Sequence, residues 1–173
     1  MAVRIPSLAG ATIILPAMAD KSPDWRNPLH LLAFWFGAGA APKAPGTVGT
    51  LAAVPLYLLL QPLSPGLYLS LVAGLFLLGI WICGATARAL EVHDHPGIVF
   101  DEVVGYLVTM IHAPRGWGWV AAGFALFRLF DILKPWPIGP VDRRVEGGLG
   151  IMLDDVIAGF LALICLQAAA LVL

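Results

Sequence analysis

The chain has 173 residues, 60% of them hydrophobic and 12% charged, with a net charge of −1 and a mean hydropathy of +0.88. Soluble domains run about 45–50% apolar and about 25% charged, so this composition excludes an ordinary soluble domain and fits one membrane-embedded unit. The balanced charge gives no reason to expect a nucleic-acid partner.

Residues 1–27 are expected to form an N-terminal arm, flexible or interfacial, ahead of a single membrane-embedded domain over 28–173. Arg4 and the apolar stretch ending in Ala17, Met18 and Ala19 look like a cleavable signal, but Pro6, Gly10 and Pro16 interrupt that run. A short apolar piece over 28–40 is expected to dip into the membrane without crossing it. No charge falls between Lys43 and Arg88, and Gln61 to Gly66 breaks this stretch with two prolines and a glycine. That pattern predicts helices over about 48–61 and about 67–87 joined by an uncharged turn. A third helix over about 99–113 stops before Pro114, and a fourth over about 117–134 stops before Pro135. The last begins near Gly150 and continues to the C-terminus. The expected architecture is all-α, a polytopic bundle of about four to six helices. Cys83 and Cys165 lie inside apolar runs and read as buried small hydrophobes.

When these helices alternate across a bilayer, Lys43, Arg88, Asp101, Glu102, Arg128 to Lys134, Asp142 to Arg144, Asp154 and Asp155 reach one side. The other side holds the 61–66 turn, Arg115 and the apolar C-terminus. Basic residues favour the cytoplasm, so the polar layer is expected to face it.

The acids are the anomaly. Asp101 and Glu102 open one helix, Asp154 and Asp155 lie in the first turns of another, and Asp131 sits near the end of a third. Helix capping is the plain alternative, because a helix N-terminus favours anions. Capping needs one acid, however, and Asp131 lies at the end where the dipole disfavours it, so it requires a partner at Arg128 or Lys134. Carboxylate clusters in an apolar chain suit a hard cation such as Mg²⁺ or Mn²⁺. Arg128, Lys134, Arg143 and Arg144 share the layer, and acids interleaved with bases form a recurring arrangement for metal plus phosphate. The loop from Pro42 to Thr50 adds Lys43, Thr47 and free backbone N–H groups ahead of a helix, which can hold an anion. His93, Asp94 and His95 could ligate metal or move a proton, with Asp94 the stronger candidate of the three.

Several ordered motifs resemble the phosphatidylglycerophosphatase A family. They are Pro45-Gly-Thr47-Val-Gly49, Val92-His-Asp-His95, Ile98-Val-Phe-Asp101-Glu102 with Gly105, and Phe127-Arg128 with Asp131 and Lys134-Pro-Trp-Pro-Ile138. Asp142-Arg143 and Gly147-Gly-x-Gly-Ile-Met-x-Asp154-Asp155 with Ala158-Gly159 complete the set. The resemblance covers roughly residues 28–160, by the span of these motifs. It implies Mg²⁺-dependent hydrolysis of the phospholipid phosphatidylglycerophosphate at the cytoplasmic face of a bacterial inner membrane. Asp101, Glu102, Asp131, Asp154 and Asp155 would then build the catalytic metal site. Arg128, Lys134, Arg143, Lys43 and Thr47 would hold phosphate, with Asp94, His95 and Asp142 in support.

Rival readings lack their marks. The CDP-alcohol phosphotransferase pattern is present only as a fragment over Gly84 to Arg88, and no SR-x5-H or GxGD motif occurs. A transporter or ion carrier would keep carboxylates near the midplane on broken helices, whereas these gather toward one face.

Overall fold

The computed structural model describes residues 22–92 and 95–172, together with the backbone of residues 3–6 and 12–15. Within the N-terminal segment, Val3–Pro6 (β1) pairs antiparallel with Thr12–Leu15 (β2). The signal-like end at residues 17–19, and His93 and Asp94, lie outside the described residues. Among the described residues all other regular structure is helical: α1 (Pro28–Ala33), a 3-10 helix (Trp35–Ala40), α2 (Pro45–Leu60), α3 (Pro65–Leu90), α4 (Phe100–Thr109), α5 (Trp117–Leu133), α6 (Ile138–Arg144) and α7 (Gly147–Val172).

Proline starts many of these helices and left-handed residues end some of them. Pro28, Pro45 and Pro65 stand in the first turns of α1, α2 and α3, where a missing N–H goes unnoticed. Glu91 (φ 59°) ends α3 and Lys134 (φ 42°) ends α5. The third helix is shorter than expected. Past Thr109 the chain tightens into i→i−3 bonds, from Ile111 N to Val108 O and from Ala113 N to Met110 O, and His112 takes φ 53°. Helix α6 was not expected, because its Gly139 and Pro140 read as loop punctuation.

α3 and α7 each run 26 residues and hold an 18-residue stretch of mean hydropathy 2.2, long and apolar enough to cross a membrane. Each is about 39 Å long, against a hydrocarbon thickness of about 30 Å. α4, at 10 residues, is only about 15 Å long. It is the centre of the bundle: every residue from Phe100 to Thr109 except Glu102 is buried, and it packs against α2, α3, α5 and α7. The outer faces are apolar too, with Leu77, Trp81 and Ile164 all more than half exposed. Cys83 is buried as expected, but Cys165 is exposed on α7. An apolar run does not fix an inward orientation when the helix presents apolar residues on its outer face as well.

Candidate active site

Two glycines determine how close α4 comes to α7. Gly105 lies one turn beyond Asp101, and Gly159 one turn beyond Asp155. A Cβ on Gly159 would collide with the carbonyl oxygen of Gly105, and a Cβ on Gly105 would stand 2.8 Å from the carbonyl oxygen of Asp155. The Thr109 hydroxyl donates to Gly105 O at 3.1 Å and lies 3.4 Å from Gly159 O, lacing the two backbones together. Residues four apart share a helix face, so Asp101 and Asp155 ride directly above this contact.

The consequence is a cluster. One oxygen each from Asp101, Glu102 and Asp155 lie within 4.8 Å of one another. Asp101 and Asp155 are only 9% and 3% exposed. Glu102 Oε2 and Asp155 Oδ2 are buried and have no hydrogen-bond partner among the described residues. Three carboxylates so close and so far from water repel one another unless a cation or protons lie between them. An all-oxygen donor set with unfilled lone pairs fits a hard divalent cation.

The remaining acids are engaged with bases. Arg128 Nη1 lies 2.5 Å from Asp131 Oδ2 and 3.6 Å from Glu102 Oε1. Asp131 therefore takes the i−3 partner its position demanded, and the pair stands at the edge of the triad. Arg128 Nε is buried without a hydrogen-bond partner among the described residues. Lys134, the other candidate partner for Asp131, is placed elsewhere. Its Nζ bonds Asp142 Oδ1 on α6 at 2.6 Å and Asp154 Oδ2 on α7 at 2.8 Å. Burial alone would lower the pKa of this ammonium, but the bonds to Asp142 and Asp154 outweigh it and hold the group above its ordinary value.

The start of α2 closes the site from a third direction. A Cβ on Gly46 would overlap Glu102 Oε1 and stand 3.1 Å from Arg128 Nη1, so only glycine lets this turn seat on the acid–base pair. Among the described residues no side chain caps the first turn of α2, which leaves its early N–H groups for water or an anion. Thr47, next along, is half-buried and Lys43 is exposed. His95 Nδ1 accepts the Gly97 N–H at 3.0 Å. Its ring helps line an open groove of about 420 Å³ that Pro42 and Pro45 share. Arg143 is exposed on α6.

Of the residues singled out from the sequence, Asp101, Glu102 and Asp155 form the centre, with Arg128 and Asp131 against it. Asp154, Lys134 and Asp142 form a second linked group, reached through the adjacency of Asp154 and Asp155. Lys43 and Arg143 are exposed. Gly46, Gly105 and Gly159 were not singled out as functional. A signal for two of them was present, since each central aspartate carries a glycine four residues on.

Comparison with known proteins is concordant. The family model for phosphatidylglycerophosphatase A matches residues 31–170. A phosphatidylglycerophosphatase A of Escherichia coli (strain K12) is 47% identical over 153 residues, 86% of this chain and 89% of its own length. The protein of that name from Haemophilus influenzae is 47% identical over 144 residues, covering 82% of this chain and 88% of its own. A Bacteroides thetaiotaomicron protein, provisionally named a phosphatidylinositol-3-phosphatase, is 37% identical over 150 residues, 80% of this chain and 91% of its own. No solved structure matches. With the family model spanning most of the chain and near-half identity over most of two relatives' length, the chain belongs to the phosphatidylglycerophosphatase A family of phosphatases.

Proposed function

We propose that this chain hydrolyses phosphatidylglycerophosphate to phosphatidylglycerol and inorganic phosphate, as a multi-pass protein of the bacterial inner membrane with its site facing the cytoplasm. The observation that carries this reading is the buried triad of Asp101, Glu102 and Asp155 with Arg128 at its edge. Two helices long enough to cross a bilayer support the placement, as does the gathering of basic residues at the site end.

Asp101, Glu102 and Asp155 would hold Mg²⁺, and the orphaned buried oxygens Glu102 Oε2 and Asp155 Oδ2 fit that role. When bound there, the cation would offset phosphate charge and ease ionisation of a water molecule. Arg128, oriented by Asp131, offers its guanidinium to the phosphoryl oxygens, where charge grows in the transition state. The uncapped first turn of α2, with Thr47, presents further donors to the same oxygens. Lys43 and Arg143 draw the anionic head group toward the site. Water attacks phosphorus in line with the glycerol oxygen, whose bond to phosphorus breaks. A carboxylate of the cluster takes the attacking water's proton and hands it on to the departing glycerol oxygen, which leaves as the alcohol.

Phosphate release from phosphatidylglycerophosphate in detergent tests this, with Mg²⁺ or EDTA and with Asp131→Asn and Asp155→Asn. Release should require Mg²⁺ and collapse in both folded variants. A stable, metal-loaded wild type that releases nothing would sink the proposal.

A further inference from the structure

Lys134 carries a positive charge into the site end of the bundle, which makes it a natural candidate for a phosphate ligand. Its surroundings argue against that use. The ammonium has three N–H donors, and two are directed at carboxylates, Asp142 Oδ1 at 2.6 Å and Asp154 Oδ2 at 2.8 Å. With Asp142 and Asp154 ionised, the group of three carries a net charge of −1, so it repels a phosphate dianion where a lone lysine would attract it. Arg128 differs: it has an orphaned buried Nε and stands directly at the triad.

The geometry of Lys134 is that of a brace. It is the left-handed residue that ends α5 (φ 42°), a conformation unfavourable for a residue with a Cβ and held here by its neighbours. Its side chain joins the end of α5 to Asp142 on α6 and to Asp154 on α7. Asp154 is the residue just before Asp155, and its side chain is only 9% exposed. Fixing Asp154 fixes the rotation of α7 at that turn, and Asp155 turns with it. A rotation of one residue's worth would carry Asp155 about 100° away from Asp101 and Glu102.

We propose that Lys134 is a positioning residue, which holds α7 in the rotation that presents Asp155 to Asp101 and Glu102 and does not itself bind the phosphate. The proposal rests on the phosphatase reading above, and it departs from the assignment of Lys134 as a phosphate ligand.

The test uses the full chain purified in detergent, comparing wild type with Lys134→Met, Lys134→Arg and Asp142→Asn. Two quantities are read: kcat for phosphate release, and the dissociation constant for inorganic phosphate from titration calorimetry. In Lys134→Met, kcat should fall about 10–100-fold, as for loss of a group that orients a catalytic side chain. Phosphate affinity and KM should stay within about threefold, and Lys134→Arg should recover most of kcat. A tenfold or greater loss of phosphate affinity in Lys134→Met would overturn the assignment.

Asp142→Asn keeps the test decisive even where Lys134→Met does not fold, because the two roles predict opposite behaviour. Loosening the brace should lower kcat and leave phosphate affinity unchanged. Freeing the ammonium for a substrate should instead tighten phosphate binding and leave kcat undiminished, and that result overturns the proposal. A wild type that releases no phosphate would remove the activity itself, and with it this role. An active wild type with weakened phosphate binding in Lys134→Met would remove the role alone.

Discussion

Replacing Gly105 with alanine adds one methyl group where two helices are already in backbone contact. That carbon would stand 2.6 and 2.7 Å from ring atoms of Phe127 and 2.8 Å from the carbonyl oxygen of Asp155. Ordinary contacts of this kind begin near 3.4 Å, so the surroundings must yield by about 0.6–0.8 Å on both sides at once. Phe127 is fully buried and has no room to swing away. The Asp155 carbonyl is main chain, so α7 itself must move. Overpacking of this sort costs about 1–3 kcal/mol, or roughly 2–4 °C of melting midpoint per kcal/mol for a chain of this size. The effect on rate should be larger than the effect on folding, because the displaced atoms carry Asp155. A shift approaching 1 Å in a reacting group costs about 100-fold. Thermal unfolding in detergent and steady-state phosphate release measure the two effects separately. Gly74→Ala is the matched comparison, since none of the described residues lies within 4 Å of a Cβ there, and it should retain full activity. A Gly105→Ala enzyme that melts and turns over like wild type would refute the claim that this contact sets the carboxylate geometry.

Chelation should destabilise the wild type by about 2.7 kcal/mol relative to Mg²⁺ at a hundredfold excess over its Kd. Asp155→Asn should show no such difference between EDTA and Mg²⁺, and an undiminished Mg²⁺ response in that variant would exclude Asp155 as a ligand. Asp131→Asn leaves Arg128 with Glu102, at 3.6 Å, as its remaining acidic partner among the described residues, and should lower kcat/KM about 10–100-fold by analogy with other orienting carboxylates; unchanged kinetics would show that Arg128 needs no such orientation. Gly148→Ala sets a methyl against the carbonyl oxygen of Ile80 and 2.8 Å from Gly84 N. Because both neighbours are backbone, the variant should fail to yield folded protein, and a normal yield with an unchanged midpoint would contradict that packing.

The long helices were legible because proline and glycine punctuate an otherwise unbroken apolar sequence; Pro65 and Pro135 fall at or beside real ends, whereas α4 already ends at Thr109, well before Pro114. α6 escaped because seven residues containing Gly139 and Pro140 have no periodicity long enough to outweigh their loop-like composition. The Arg128–Asp131 pair followed from spacing alone, since both lie within one helix. Lys134 had the same spacing from Asp131 on the other side, yet its left-handed backbone ends the helix and sends the side chain to α6 and α7. No rule of spacing within one helix reaches across that turn. The acids of the triad were individually visible, but their convergence depends on Gly105 meeting Gly159, which only the crossing of two helices reveals. For the same reason the sequence placed all five acids in one cluster, whereas the structure divides them into a central triad and two members held by bases.

The placement of Asp155 has a further meaning for the lipid. It lies eight residues inside α7, about 12 Å along the axis from the helix's first residue. Phosphate esters of lipids normally rest at the plane where hydrocarbon meets water. On the phosphatase reading, a phosphate that reaches Asp155 would lie beside the third turn of α7 and not at its tip, and it would give up hydration on entering. The terminal phosphate of a flexible glycerol head group could make that approach alone, whereas a bulkier sugar phosphate would have to bring more polar surface with it.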